Sequence, residues 1–152
     1  MRQAVTLDEL KGMVGQTVGT SDWILVDQER IDRFADVTGD HQFIHVNPEL
    51  ARQTPFGTTI AHGFLTLSLM SLMGYQAMPV VEGVKMGVNY GLNRVRFLAP
   101  VKSGKRIRGH FRLADVAERA GGAVQTTYEV TVEIEDEEKP ALHAEWLTVV
   151  YL

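Results

Sequence analysis

An α+β domain, one long apolar helix enclosed by antiparallel strands, is the fold class that three observations predict. Residues 63–75 (GFLTLSLMSLMGY) form an apolar run without a clear polar face, the pattern of a helix enclosed by other structure. Stretches near residues 83–98, 105–117, 123–135 and 140–151 are rich in Val, Ile, Thr and Tyr, and turn-forming residues separate them. Within the third, residues 128–134 alternate apolar and polar, as a strand with one wet face must. With 152 residues, 45% of them hydrophobic, the chain fits a single domain over residues 1–152.

The elements follow in order. Thr6 and Glu9 make a capping-box opening, and Leu7, Leu10, Met13 and Val14 recur near helical spacing, predicting a short helix over residues 6–14. Residues 22–26 (DWILV) read as a short strand. Asp27 is placed to cap a helix over residues 28–37, whose apolar stripe is Ile31, Phe34, Ala35 and Val37. Thr38-Gly39-Asp40 ends it, and residues 40–45 (DHQFIH) read as a polar loop. Asn47-Pro48 then opens one or two helical turns through Gln53, and residues 54–59 form a loop broken by Pro55 and Gly57. The buried helix spans about residues 62–77. Residues 135–138, all acidic, read as a solvated hairpin turn between the last two strands.

Composition excludes several classes of function. Fifteen basic against 19 acidic side chains leave a net charge of −4, which offers no general attraction to nucleic acid. The absence of cysteine removes disulfides and thiolate chemistry, so any metal would rest on His and carboxylates. The apolar run is shorter than the roughly 20 residues a membrane crossing needs, and the charged N-terminus lacks a secretory core. A cytoplasmic protein without a membrane partner is expected.

Chemistry concentrates in three places. Asp40 and His45 put a carboxylate and an imidazole in one turn-rich segment after Gly39, the pairing that general acid–base work needs. The same residues read equally well as a turn cap and a half-buried structural histidine. His41 and His45 stand i, i+4 but lack framing and an obvious third ligand, so no metal site is expected. Ala61-His62-Gly63 opens the apolar helix; free N–H groups and a glycine there would admit a ligand oxygen close to the backbone, although Gly63 could equally serve close packing and His62 structure. Tyr90, Asn93 and Arg94 belong to a polar cluster on a strand interrupted by Gly91, a candidate lining for a ligand tunnel. Arg94, Arg96, Lys102, Lys105, Arg106 and Arg108 form a local basic patch suited to the phosphates of a carrier, unless they simply solvate a strand face.

Taken together, these motifs resemble a known family. Phe34 through His45, followed six residues later by Ala51, resembles the hydratase 2 motif of the MaoC-like dehydratases, the family of (R)-specific enoyl-CoA hydratases. Residues 55–65 (PFGTTIAHGFL) look like the segment entering their central helix, and residues 87–101 look like the subgroup related to nodulation protein N, a likeness that covers essentially the whole chain. The resemblance implies a hot-dog fold, a curved antiparallel sheet around a long helix with extra short helices before it, in a homodimer whose acyl tunnels lie near the interface. It implies Asp40 and His45 as the catalytic pair and the Gly63 N–H as the group polarising the thioester carbonyl. One departure stands out: the family's Asn-Pro before the histidine is here Gln42-Phe43, which removes the fixed φ of proline.

The implied activity is reversible hydration of a trans-2-enoyl-CoA to the (R)-3-hydroxyacyl-CoA, with CoA thioester as substrate, acyl carrier protein as the alternative carrier and no cofactor. Tyr90, Asn93 and Arg94 are the candidate substrate-binding residues. The alternatives are a hot-dog acyl thioesterase and a non-catalytic acyl-thioester-binding module.

Overall fold

The computed structural model describes residues 4–152. A short strand β1 (Ala4–Val5) leads into helix α1 (Leu7–Gly12), whose N-terminus is the expected capping box: the Thr6 hydroxyl accepts from the Glu9 N–H while the Glu9 carboxylate accepts from the Thr6 N–H. Strands β2 (Thr17–Thr20) and β3 (Ile24–Val26) follow, then helix α2 (Gln28–Thr38). Asp27 caps α2 by accepting from the Arg30 N–H at 2.9 Å. At its other end Gly39 takes the left-handed φ of 80°, a conformation that costs a residue without Cβ nothing, and the chain turns off sharply toward Asp40.

Residues 43–46 depart from the expected loop. They form a single helical turn, α3 (Phe43–Val46), followed at once by α4 (Pro48–Ala51), which Asn47 caps through the Leu50 N–H. Phe43 occupies the first position of α3, the place where proline is most at home in a helix, so the turn that a proline would pre-set forms here without one. His45 is therefore carried on a helix rather than on a loose segment.

Helix α5 (Gly63–Ala77) is the long apolar helix, followed by the short strand β4 (Val80–Val81), which pairs in parallel with β1. Four long strands complete the chain: β5 (Met86–Phe97), β6 (Lys105–Arg119), β7 (Ala123–Ile134) and β8 (Leu142–Tyr151). With β2 and β3, both paired to β6, they make a six-stranded antiparallel sheet in the order β2-β6-β7-β8-β5. Register shifts interrupt the β2–β6, β5–β8 and β6–β7 ladders, and such bulges bend and twist strands. One face of the sheet supplies Phe111, Tyr128 and Trp146, whose rings meet edge-on or tilted, and Met70 and Met73 of α5 pack into the same core. At the far end β2 crosses α5 so closely that a Cβ on Gly19 would lie 2.1 Å from the Ala77 carbonyl oxygen. This is the hot-dog fold, helix within sheet, preceded by the short helices that the sequence predicts.

Two expectations need correction. An apolar helix without a polar face should be covered on every side, yet α5 leaves Phe64 66% and Tyr75 67% exposed, with Leu72 beside them. The edge strand β5 continues that bare surface with Val88, Tyr90, Leu92 and Phe97. The expected basic patch is also divided, because Arg106 pairs with Glu135 and Arg108 with Glu133, and both guanidinium groups stack over Trp23. The acidic turn is thus partly bound into the sheet's outer face, Glu137 lying 3.6 Å from Lys105.

Candidate active site

α2, α3 and the start of α5 bring three side chains to one place. The nearest nitrogen and oxygen atoms of Asp40, His45 and His62 lie within 4.8 Å of one another, with both imidazoles buried and the carboxylate exposed. Asp40 sits just past the Gly39 turn, where its carboxylate also accepts from the Gln42 N–H at 3.3 Å. The turn-capping role and proximity to His45 therefore coexist in one side chain.

Each imidazole is held by a backbone carbonyl. His45 Nδ1–H donates to the Ile60 oxygen at 2.7 Å, which leaves Nε2 to act as an acceptor. His62 Nε2–H donates to the Asp40 oxygen at 2.9 Å, so its remaining lone pair is on Nδ1. The two rings stack at a centroid distance of 3.8 Å and 23° between planes, and Phe34 closes on His62 at 4.9 Å. Burial, the largest influence, holds His45 below the ordinary imidazole range; the Ile60 carbonyl opposes it, the neighbouring His62 reinforces it, and the Asp40 charge opposes it.

The scaffold around His45 is tightly tied. Gln28, the first residue of α2, donates its side-chain amide to the His45 carbonyl at 2.7 Å and to Asp32 at 2.8 Å, while its oxygen accepts from the buried Thr59 hydroxyl. The Ile60 N–H donates to the Ile44 oxygen at 3.0 Å, and the Ala61 N–H to Val101 at 2.8 Å. These bonds fix the segment entering α5 against both α3 and the sheet.

His45 and Gly63 open onto one cleft of about 310 Å³, walled by Phe56, Thr66, Phe97 and Val101 among others. Gly63 is the first residue of α5, and no side chain caps that helix end. N–H groups in a first helical turn have no partner within the helix and carry the positive end of its dipole. A Cβ at this position would come 2.9 Å from the Phe97 ring, so glycine allows the ring to lie against the helix start. The arrangement sets a base and an amide donor on one cleft, with a carboxylate within 4.8 Å of the base, which suits proton transfer next to a developing oxyanion.

The same trio is the metal-ligand grouping found among the described residues. Its geometry suits an ion poorly. Imidazole binds a metal along the in-plane lone pair at roughly 2.0–2.1 Å, and ring planes 23° apart with centroids 3.8 Å apart do not meet within that distance of both nitrogens. His41, the other histidine of the segment, turns away to Asp36 at 2.9 Å, which raises its pKa.

Tyr90, Asn93 and Arg94 are not brought to this cleft. Tyr90 lies under Arg119, Asn93 donates to Glu145 at 2.7 Å, and Arg94 stands in register with the same Glu145 on the exposed edge strand. Sequence reasoning left His62 and Gln28 out of the site. A histidine before Gly63 was visible, but nothing in its spacing disclosed a ring stacked on His45, and Gln28 carries no local signal at all.

The family model described as "MaoC like domain" matches residues 9–134. The chain is 55% identical over 147 residues to a protein named nodulation protein N from Rhizobium leguminosarum bv. viciae, covering 96% of this chain and 91% of that one. It is 50% identical over 145 residues to a protein named 3-hydroxyacyl-thioester dehydratase Z from Mycobacterium tuberculosis (strain H37Rv), covering 95% of each. Among solved structures, that of a monoamine oxidase regulatory protein from Archaeoglobus fulgius superposes with a TM-score of 0.80 at 24% identity, covering 98% of this chain and 95% of that one.

Proposed function

Since the chain belongs to the MaoC-like dehydratase domain family, we propose that it catalyses the reversible hydration of a trans-2-enoyl-CoA to the (R)-3-hydroxyacyl-CoA. The observation that carries this reading is the shared cleft. His45 and the N-terminus of α5 at Gly63 line one space of about 310 Å³, and the Asp40 carboxylate lies within 4.8 Å of a ring nitrogen of His45. The name of the Mycobacterium tuberculosis relative, a 3-hydroxyacyl-thioester dehydratase, supports the same class of reaction.

In the hydration direction, water adds across a double bond polarised by its thioester. The oxygen of water bonds to C3, one of its protons passes to Asp40 or His45, and the electron pair of the double bond moves through C2 onto the thioester oxygen. The Gly63 N–H and the α5 dipole stabilise that oxygen, an effect of about 2.7–4 kcal/mol for a single donor of this kind. A proton then returns to C2 and the thioester carbonyl re-forms. Water, protons and the thioester suffice for this reaction, so no cofactor is invoked.

We further propose a homodimer formed over α5 and β5. An apolar helix that one chain leaves half bare, beside an exposed edge strand bearing Leu92 and Phe97, is a surface suited to a second copy. Phe97 belongs both to that surface and to the cleft wall, so the entrance would lie beside the interface. Binding roles for Tyr90, Asn93 and Arg94 would be exercised there, along the route taken by the carrier of the thioester, and not at the reacting carbons.

The test is the loss of enoyl-thioester absorbance when crotonyl-CoA and longer trans-2-enoyl-CoAs are mixed with the protein, followed by chiral analysis of the product. (R)-3-Hydroxyacyl-CoA is the expected product. Release of free thiol would identify a thioesterase instead, and tight binding without an absorbance change would leave a binding module. Turnover of an enoyl thioester only on acyl carrier protein would change the carrier and keep the chemistry.

A further inference from the structure

The proposed reaction uses Asp40, His45 and Gly63 and leaves His62 without a task. Yet His62 is 2% exposed, its Nδ1 is buried with no hydrogen-bond partner among the described residues, and its ring contacts both Phe34 and His45. Packing alone does not explain a histidine here, since a leucine would fill such a space without burying an unpaired acceptor. Two contacts distinguish the residue. Its Nε2–H holds the Asp40 backbone carbonyl at 2.9 Å, and its ring face supports the His45 ring at 3.8 Å.

Asp40 has little else to hold it. It follows the left-handed turn at Gly39 and precedes α3, so no regular element fixes its peptide, and its carbonyl has no donor other than His62 among the described residues. We infer that His62 is a positioning residue for the Asp40–His45 pair, clamping the Asp40 peptide with one ring nitrogen while its ring face fixes the plane of His45. This rests on the reading of Asp40 and His45 as the acid–base pair. His62 acts through them, touching neither water nor thioester. The consequence is a specific kinetic signature: loss of the clamp lets the carboxylate wander from His45, which lowers turnover while leaving substrate affinity nearly intact.

The experiment measures kcat and KM for crotonyl-CoA hydration in His62→Leu, His62→Gln, Asp40→Asn and the double variant Asp40→Asn with His62→Leu, with the fold checked by circular dichroism. His62→Leu keeps the bulk and loses the donor; His62→Gln keeps an N–H near the place of Nε2. The expected result is a fall in kcat on the order of 10- to 10²-fold for His62→Leu with KM within about twofold, and recovery of most of that loss in His62→Gln. In the double variant the two losses should fall short of multiplying, because the clamp no longer has a working carboxylate to position and only its support of His45 remains. If His62→Leu folds and retains wild-type kcat, or if the losses multiply, the inference falls. Should His62→Leu fail to fold, the comparison of His62→Gln with wild type decides, a kcat loss in Gln as large as that of Asp40→Asn overturning the clamp. Wild-type turnover in Asp40→Asn would instead overturn the underlying assignment of the catalytic pair, a different and separately recognisable outcome.

Discussion

The imidazole of His45 lies face to face with that of His62, 3.8 Å between centroids, while each ring spends one nitrogen on a backbone carbonyl. The neighbouring His62 adds to burial in disfavouring a proton on His45. The site is built to hold a neutral His45, with Nδ1 spent on Ile60, at the wall of the cleft.

Replacing Asp40 by Asn or His45 by Gln should each lower kcat for crotonyl-CoA hydration by about 10²- to 10⁴-fold, the usual range for general acid–base groups. The two variants should part on stability. Asp40 is exposed, so its substitution should shift unfolding free energy by no more than about 0.5 kcal/mol. His45 is buried and bonded to Ile60, and disturbing that contact costs about 1–3 kcal/mol. Urea unfolding beside the absorbance assay separates the effects; undiminished turnover in either variant would strike that residue from the mechanism.

The pH dependence follows from burial of His45. Its folded pKa lies below the ordinary 6.5, so the neutral base persists to lower pH in the native protein than in a free imidazole. As pH falls through the depressed value, His45 gains a proton and Nε2 ceases to accept one. The acid limb of kcat/KM should therefore be centred below 6.5. Stability should follow the same sign: the unfolded chain takes up this proton first, so the contribution is complete above 6.5 and is lost as pH falls toward the folded value. An acid limb above 6.5 that disappears in His45→Gln would contradict the direction.

Gly63→Ala puts a methyl group 2.9 Å from the Phe97 ring. Phe97 is half exposed and can swing aside, and alanine suits a helix better than glycine, so stability should change by no more than about 1 kcal/mol. Activity should suffer more, about 10- to 10²-fold in kcat/KM, because the displaced ring reshapes the cleft beside the amide. Adding Phe97→Leu should restore a large part of it. Failure of the second substitution to restore any activity would show that steric pressure from Phe97 is not the cause.

Sedimentation velocity tests the proposed pairing. Wild type should sediment as a dimer, and Leu92→Glu, which sets a carboxylate on the bare face of β5, should raise the dimer dissociation constant at least about 10²-fold, since an unpaired charge buried at an interface costs several kcal/mol. A monomeric wild type, or a variant that pairs as tightly as wild type, speaks against this surface.

Much of this fold could be read from local chemistry. Thr6, Asp27 and Asn47 announce helix starts through side chains that cap their own neighbours, and Gly39 announces a stop through its φ of 80°. The long strands β6, β7 and β8 carry their alternation within the segment. β2 and β4 escaped because residues 17–20 and 80–81 are too short for a period to show, and their pairing partners lie far along the chain. The Asp40, His45 and Gly63 spacing was legible because they bracket one turn and one helix start. His62 and Gln28 were not, since their roles are contacts made across three segments. The bare side of α5 was hidden for another reason: an apolar pattern calls for cover without saying which molecule provides it.

The Gln28 amide fastens α2 to the carbonyl of His45 and accepts from Thr59 on the approach to α5, two bonds between uncharged groups. The outer face of the sheet relies instead on Arg–Glu pairs within reach of solvent. Ionic strength acts strongly on the second kind of link and weakly on the first. Added salt should accordingly loosen the back of the sheet well before it disturbs the bolt behind His45, leaving the reacting groups in register in a molecule whose exterior has already softened.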